Sequence, residues 1–280
     1  MKASELKALL EPYGISPLRA RGQHFLLDEG VVAKMIAASG VGKGSRVLEI
    51  GPGPGILTSA LLDAGADVVA VELDIKLQAL CADRFGDALT LVRGDVMHHE
   101  NSGLVARFSG PGSYRVVANI PYVITSPVLE KFLQGEARPE SMTIMIQKEV
   151  ADRILAKPGD MSSIAVLVQT LGSVHRVTNV AKGAFFPPPK VDSSVIHIVL
   201  KTEQERASHF GSVPQNFFFS VVRTAFGQKR KQLRNSLKGL FHDAEDLEKS
   251  FNKAKIRTSA RPEELSVAQW SALVESMRLN

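Results

Sequence analysis

Short apolar runs alternate with amphipathic stretches along the first two-thirds of the chain. Val47-Leu48-Glu49-Ile50 leads into Gly51-Pro52-Gly53-Pro54-Gly55 and then into a helical pattern from Ile56 to Ala64. Asp67 to Asp74, Leu89 to Asp95, Tyr114 to Ala118 and Met142 to Ile146 are further apolar runs, each bounded by turn signals. Runs of this length, separated by helical periodicity, read as buried parallel strands joined by crossover helices. Helices are also expected over Ser4 to Pro12, from the cap Asp28 to Ser39, after a Thr125 or Ser126 cap with Pro127 in the first turn, and over Gln147 to Ala156 and Ser163 to Gly172. Ser173 to Ala181 and Ser194 to Leu200 read as two closely spaced strands, with a stiff polyproline-like segment, Phe185 to Ser193, between them. The prediction is an α/β, Rossmann-like domain of seven strands, mostly parallel with an antiparallel edge. From about residue 208 the strand pattern stops. Pro214 to Phe226, Lys229 to Phe241, Ala244 to Phe251 and Pro262 to Met277 read as helices. The expected division is a residue 1–205 domain and a residue 206–280 all-helical domain.

The glycine turn carries the first chemical signal. Gly51, Gly53 and Gly55 are spaced G-x-G-x-G, and Ile56 stands where the dinucleotide fingerprint requires glycine. The better match is a nucleoside cofactor without a pyrophosphate, of which S-adenosylmethionine is the common one. A tight turn with no ligand is the plain alternative. Glu72 ends the next strand, twenty-one residues past Gly51. An acid there can accept hydrogen bonds from both ribose hydroxyls. Asp95 ends the third strand and can accept from an adenine amino group, whereas Asp74 fits a helix cap.

Asn119-Ile120-Pro121-Tyr122 ends a strand on the same sheet edge. Methylation of an exocyclic amine needs acceptors for its N–H groups, because the lone pair is delocalised into the ring. The site must therefore favour the pyramidal, charged nitrogen of the transition state. Asn119 and the carbonyl of Ile120 or Pro121 supply acceptors, and Tyr122 supplies a stacking face for a flipped base. The bland alternative is a strand-terminating turn with a packing tyrosine. Phe185, held by the prolines, suits a second stacking face, and Phe186 a hydrophobic anchor.

Composition sharpens the picture. Hydrophobic residues make up 44% of the 280, enough for a sizeable core. A single cysteine, Cys81, excludes a disulfide framework and a cysteine metal cluster, and suits a reducing cytoplasm. His98 and His99 lack ligand-spaced partners, so no metal is expected. No apolar run reaches the roughly 18–20 residues of a membrane span, and the N-terminus, with Glu5 and Glu11, reads as neither a signal nor a transit peptide. The net charge of +5 is uneven. Residues 1–204 carry 21 basic and 21 acidic residues, and residues 205–280 carry 13 and 8. Arg223, Lys229, Arg230, Lys231, Arg234 and Lys238 occur without an intervening acid, a candidate phosphate-binding surface to which Arg19 and Arg21 can add.

These motifs together resemble the rRNA adenine dimethyltransferase family, and most closely its small-subunit branch. The segments are Gly22-Gln23-His24-Phe25-Leu26, Glu49-Ile50-Gly51-Pro52-Gly53, Asn119-Ile120-Pro121-Tyr122, Gln147-Lys148-Glu149 and Phe185-x-Pro187-x-Pro189-Lys190-Val191-Asp192-Ser193. The similarity runs from about residue 19 to 240, and the proline-rich motif is its most specific part. It implies methyl transfer from S-adenosylmethionine to N6 of two adjacent adenosines in a hairpin near the 3′ end of small-subunit (16S) rRNA. The implied substrate is a pre-ribosomal 30S particle, with a role in subunit biogenesis. The expected protein is a cytoplasmic RNA-binding monomer. By carry-over, His24, Leu26, Gly51, Glu72, Asp95 and Asn119 line the cofactor site; Gly53 of the glycine turn is expected to join them, and Asn119, Pro121, Tyr122 and Phe185 remain the catalytic candidates. Many members have asparagine where this chain has His24, which keeps both donor and acceptor capacity. The competing expectations are a large-subunit rRNA adenine methyltransferase of the antibiotic-resistance type, a DNA N6-adenine methyltransferase, and a non-catalytic assembly factor on the same fold.

Overall fold

The computed structural model describes residues 1–16, 23–228, 231–240 and 244–277. Its first two-thirds follow from strand-turn-helix repeats. The strands are β1 (Phe25–Leu26), β2 (Arg46–Ile50), β3 (Asp67–Glu72), β4 (Leu89–Arg93), β5 (Arg115–Asn119), β6 (Ser141–Gln147), β7 (Gly172–Val180), β8 (Phe185–Phe186) and β9 (Ser193–Leu200). The helices α1 (Ala3–Leu10), α2 (Glu29–Ser39), α3 (Ile56–Asp63), α4 (Ile75–Phe85), α5 (Asn101–Val105), α6 (Thr125–Gln134), α7 (Lys148–Ile154) and α8 (Ser163–Leu171) fall before or between them.

Seven strands form one sheet in the order β4-β3-β2-β5-β6-β9-β7. β2, β3, β4, β5 and β6 pair in parallel, and β9 runs antiparallel to β6. The antiparallel strand therefore lies inside the sheet and β7 takes the edge. Strand order reverses between β2 and β5, the point at which open parallel sheets leave a ligand crevice beyond the strands' C-terminal ends. Val47, Val68, Val117, Met145 and Val195 project from the strands into a core with Leu57 and Leu61 of α3 and Met35 of α2. A second apolar cluster packs Leu6 and Leu10 of α1 against Phe25, Leu77 and Leu80.

Three local expectations change. Helix α6 begins at Thr125 itself, with Ile124 at the cap position and no side-chain cap. A 3-10 turn over Tyr122–Ile124 runs straight into it, so neither Thr125 nor Ser126 is free to cap. The proline-rich segment is not one continuous polyproline stretch: Phe185 and Phe186 pair antiparallel with Leu26 and Phe25, and the Phe186–Pro187 peptide is cis. The helix expected over Lys229 to Phe241 is shorter, because Gln232 is extended; α11 spans Leu233–Leu237 and a 3-10 turn spans Lys238–Leu240.

Two compact units emerge: Met1–Ala151 with Val174–Leu200, and Asp152–Ser173 with Lys201–Asn280. The second unit is thus larger than residues 206–280, since it takes in α8. Its other helices are α9 (Glu203–Phe210), α10 (Gln215–Gly227), α11, α12 (Ala244–Lys253) and α13 (Val267–Ser276). Its centre holds Trp270 and Phe218 at 0% exposure, with Phe210, Phe218 and Phe219 stacked edge to face. The Lys201 ammonium donates to the carbonyls of Gln169 and Thr170 at the end of α8, where a cation opposes the helix dipole.

In the first unit, Gly55 has φ +83°, and a Cβ there would run into the Phe85 ring. Gly55→Ala is expected to cost about 1–2 kcal/mol from the left-handed backbone alone, more if the ring cannot move. Urea unfolding checks this; an unchanged midpoint would contradict the account.

Candidate functional site

The turn after β2 is held from below by a carboxylate. Glu72 Oε2 accepts from the Gly53 N–H at 3.2 Å, and Oε1 accepts from the Asp74 N–H at 2.8 Å. Gln78 Nε2 donates to the Glu72 carbonyl at 2.8 Å and holds the end of β3. Asp74, as expected, caps α4 by accepting from Lys76 and Leu77. Gly53 has φ +57°, and a Cβ there would press on the Phe25 ring at 3.2 Å. Glycine is therefore required by the backbone and by the protein's own aromatic neighbour, as well as by any ligand.

Each of the four parallel strands β2 to β5 delivers a group to the same crevice. Gly51, Gly53, Glu72, Asp95 and Asn119 all line one pocket of about 240 Å³, together with His24 and Leu26 from the N-terminal segment. Asp95 Oδ1 accepts from the Met97 N–H at 2.9 Å, and Oδ2 has no partner among the described residues. The lining contains four carboxylates, Glu49, Glu72, Asp74 and Asp95, and no lysine or arginine among the described residues.

Glu49 is the group that sequence reasoning left without a role. Its position inside the run Val47-Leu48-Glu49-Ile50 was the available signal, because a lone acid in a buried strand needs a reason. It is 1% exposed, and Thr58 Oγ1 donates to its Oε2 at 2.7 Å. Burial pushes its carboxyl up to about 8; the Thr58 hydrogen bond opposes this and the nearby Glu72 charge adds to it. Burial also raises Glu72, against the N–H groups of Asp74 and Gly53 that favour its ionised form. Cys81 donates to the Gly53 carbonyl at 3.2 Å, and burial pushes its thiol up to about 12. It is a buried packing residue.

Around Asn119 the motif forms a fixed rim. Asn119 Nδ2 donates to the His24 carbonyl at 3.4 Å, and its Oδ1 accepts nothing from the described residues. Pro121 C=O accepts from the Ile124 N–H at 3.1 Å, which leaves the Ile120 carbonyl as the freer acceptor. Tyr122 Oη shares a 2.8 Å hydrogen bond with Ser193 Oγ, and burial raises the phenol above its usual value. The His24 ring stacks near Tyr122, with centroids 6.0 Å apart and planes at 26°. His24 Nδ1 lies 2.8 Å from the Pro187 carbonyl, which can only accept. Nδ1 therefore carries the hydrogen, and Nε2 keeps the lone pair in the neutral ring.

Phe185 is the correction. Instead of offering a stacking face it is 3% exposed, packs in the main core and does not line the pocket. Its pairing with Leu26 turns the side chain inward, and His24 occupies the position beside Tyr122. Phe186 is the anchor expected, packed on the α1 cluster with Lys7 5.2 Å over its ring. In the other unit Arg223, Lys231, Arg234 and Lys238 are all exposed. Arg19, Arg21, Lys229 and Arg230, expected on the same surface, lie outside the described residues.

A switch-point crevice with a glycine turn, an acid ending the second strand and Asn-Ile-Pro-Tyr ending the fourth is that of an S-adenosylmethionine-dependent methyltransferase. The family model for ribosomal RNA adenine dimethylase matches residues 19–278, and the chain belongs to that family. A ribosomal RNA small subunit methyltransferase A of Clostridium acetobutylicum is 36% identical over 281 residues, covering 99% of each chain. Its counterpart in Phenylobacterium zucineum is 39% identical over 275 residues, covering 97% of this chain and 92% of the relative. Among solved structures, a dimethyladenosine transferase from Plasmodium falciparum superposes with TM-score 0.70 at 25% identity, covering 89% of this chain and 96% of that one. The 23S rRNA methyltransferase ErmE shares the fold, with TM-score 0.66 at 24% identity over 90% of this chain and 99% of its own.

The pocket fits the cofactor on its own terms. S-adenosylmethionine carries a sulfonium, an ammonium and a carboxylate, and its two cations meet a lining of carboxylates with no lysine or arginine among the described residues. Both Glu72 oxygens are oriented by backbone N–H groups and keep lone pairs for ribose hydroxyls.

Glu49 also sets a stability trend. Its folded value lies above its unfolded one, so its contribution is full below about 4.5 and is lost as pH rises towards about 8. Glu49→Gln is expected to raise the apo protein's Tm at pH 8 more than at pH 5, by an amount equivalent to a few kcal/mol at most. Thermal unfolding across that range checks it; equal shifts at both pH values would contradict the burial argument.

Proposed function

We propose that the protein transfers methyl groups from S-adenosylmethionine to N6 of two adjacent adenosines near the 3′ end of small-subunit rRNA, giving N6,N6-dimethyladenosine. The observation that carries this is that Asn119 Oδ1 has no partner among the described residues and shares the lining of the acid-lined pocket with Ile120. The cofactor supplies an electrophilic methyl group on a positively charged sulfur. The two acceptors hold the adenine N–H groups and favour the tetrahedral nitrogen over the flat, conjugated one. Tyr122, fixed by Ser193, supplies the face on which a flipped base stacks. Its phenol stays neutral at working pH and takes no part in proton transfer. The nitrogen's proton leaves to water after transfer, so no side-chain base is required.

The exposed Arg223, Lys231, Arg234 and Lys238 supply phosphate contacts, and the helical unit is the RNA-holding part of the protein. Its substrate is a pre-30S particle rather than free RNA, and it acts as a cytoplasmic monomer. The relatives at 35–39% identity carry the small-subunit name, which favours that branch over the large-subunit reading. No described helix is long and apolar enough to cross a membrane.

Asn119→Ala is expected to lower tritium transfer from labelled S-adenosylmethionine to unmodified small subunits by ~100-fold while the particle still binds. Transfer at the wild-type rate would remove Asn119 from the reaction. Reversing Arg234 and Lys238 together to glutamate is expected to weaken particle binding. It should also flatten the salt dependence by about one unit of log–log slope for each phosphate no longer neutralised. An unchanged slope would mean that this surface faces no RNA.

A further inference from the structure

Glu49 has no part in the mechanism above, yet it is among the most deeply buried acids of the molecule and it lines the cofactor pocket. We propose that Glu49 is the residue by which the pocket distinguishes the sulfonium donor from its thioether product. It is a neutral acid in the free and product-bound enzyme and gives up its proton when the donor binds. This rests on the reading that the pocket holds S-adenosylmethionine.

The geometry supports it in three ways. Among the described residues the carboxyl has one hydrogen-bond partner, the Thr58 hydroxyl at 2.7 Å, which donates to it and so favours the ionised form. The other groups facing it supply no positive charge. From β3 comes Glu72, and from α4 comes Cys81, whose burial keeps it a thiol. Asp74, Asp95 and His24 stand further around the pocket. Arg84, which acts on Cys81, is engaged with the Pro54 carbonyl and does not line the pocket. A neutral acid is therefore the resting state, in line with the upward displacement burial produces. A positive charge brought beside this buried carboxyl is what makes ionisation favourable, because Coulomb attraction between a buried acid and a cation is stronger than in bulk water.

The proton balance is simple. On donor binding the Glu49 O–H bond breaks, its electron pair stays on the carboxylate and the proton passes to the buffer. Methyl transfer converts the sulfonium into an uncharged thioether, and Glu49 takes a proton back from solvent. The product then meets a pocket that has lost its reason to be charged. Below the free enzyme's titration point, donor binding must ionise Glu49, so donor affinity rises with pH until that point and then levels off. Product affinity follows no such curve.

Isothermal titration calorimetry on the full chain tests this. Each ligand is titrated in two buffers of different ionisation enthalpy, from pH 6.5 to 9. Near pH 7 S-adenosylmethionine is expected to release up to about one proton and S-adenosylhomocysteine close to none, and the ratio of their affinities should rise by as much as ~10-fold per pH unit before flattening. Glu49→Gln, which keeps the shape and the Thr58 partner, should abolish the release and fix the ratio across the range. Thr58→Val, which removes the hydrogen bond favouring the anion, should move the rise to higher pH. Equal proton release for both ligands in the intact protein would overturn the proposal, as would release that persists in Glu49→Gln. Both results leave the pocket's assignment standing. Failure of either ligand to bind would overturn that assignment as well.

Discussion

The bridge from the Glu72 carboxylate to the N–H groups of Gly53 and Asp74 is the interaction on which the site depends. One buried acid ties the turn after β2 to the turn after β3. It thereby holds the glycine backbone open at the switch point and positions the cap of α4. The N–H groups of Asp74 and Gly53 favour the acid's ionised form, against a burial that pushes its carboxyl up. Phe25 closes the same turn from above, so the N-terminal segment, the glycine loop and the ribose-type acid form one packed unit.

Asn119 stands one strand over on the same edge, in the same packed environment. Its amide nitrogen is committed to the His24 carbonyl, which fixes which end of the side chain faces a substrate. Tyr122 is likewise fixed by Ser193 from β9, the strand that ends the proline-rich segment. The sheet therefore delivers acceptors and a stacking face already oriented, and catalysis by positioning needs no further charged group at the reacting nitrogen.

Much of this was legible in the residues. The strand-turn-helix spacing predicts β2 to β6 with α3 and α6, the Asp74 cap marks the start of α4, and the short α5 carries no such signal; the glycine turn, Glu72, Asp95 and Asn119 share one edge because strand ends in a parallel sheet do. What failed to read correctly depended on long-range packing. Phe185 looked available because prolines stiffen its segment, but strand pairing with Leu26 turned it into the core. Glu49 looked like one residue of a motif, because only the fold shows that it is buried with Thr58 and Glu72 beside it. Residues 152–173 looked like part of the sheet domain, because nothing local in α8 shows that it packs with the chain from Lys201 onward.

The most direct test of the account is nucleoside analysis of small ribosomal subunits that lack the modification, after incubation with the protein and S-adenosylmethionine. N6,N6-dimethyladenosine at two adjacent positions of the small-subunit rRNA, and absent without the protein, is the predicted result. Unmethylated adenosines on particles that the protein nonetheless binds would contradict it, and would make the chain an assembly factor that keeps the fold without the reaction.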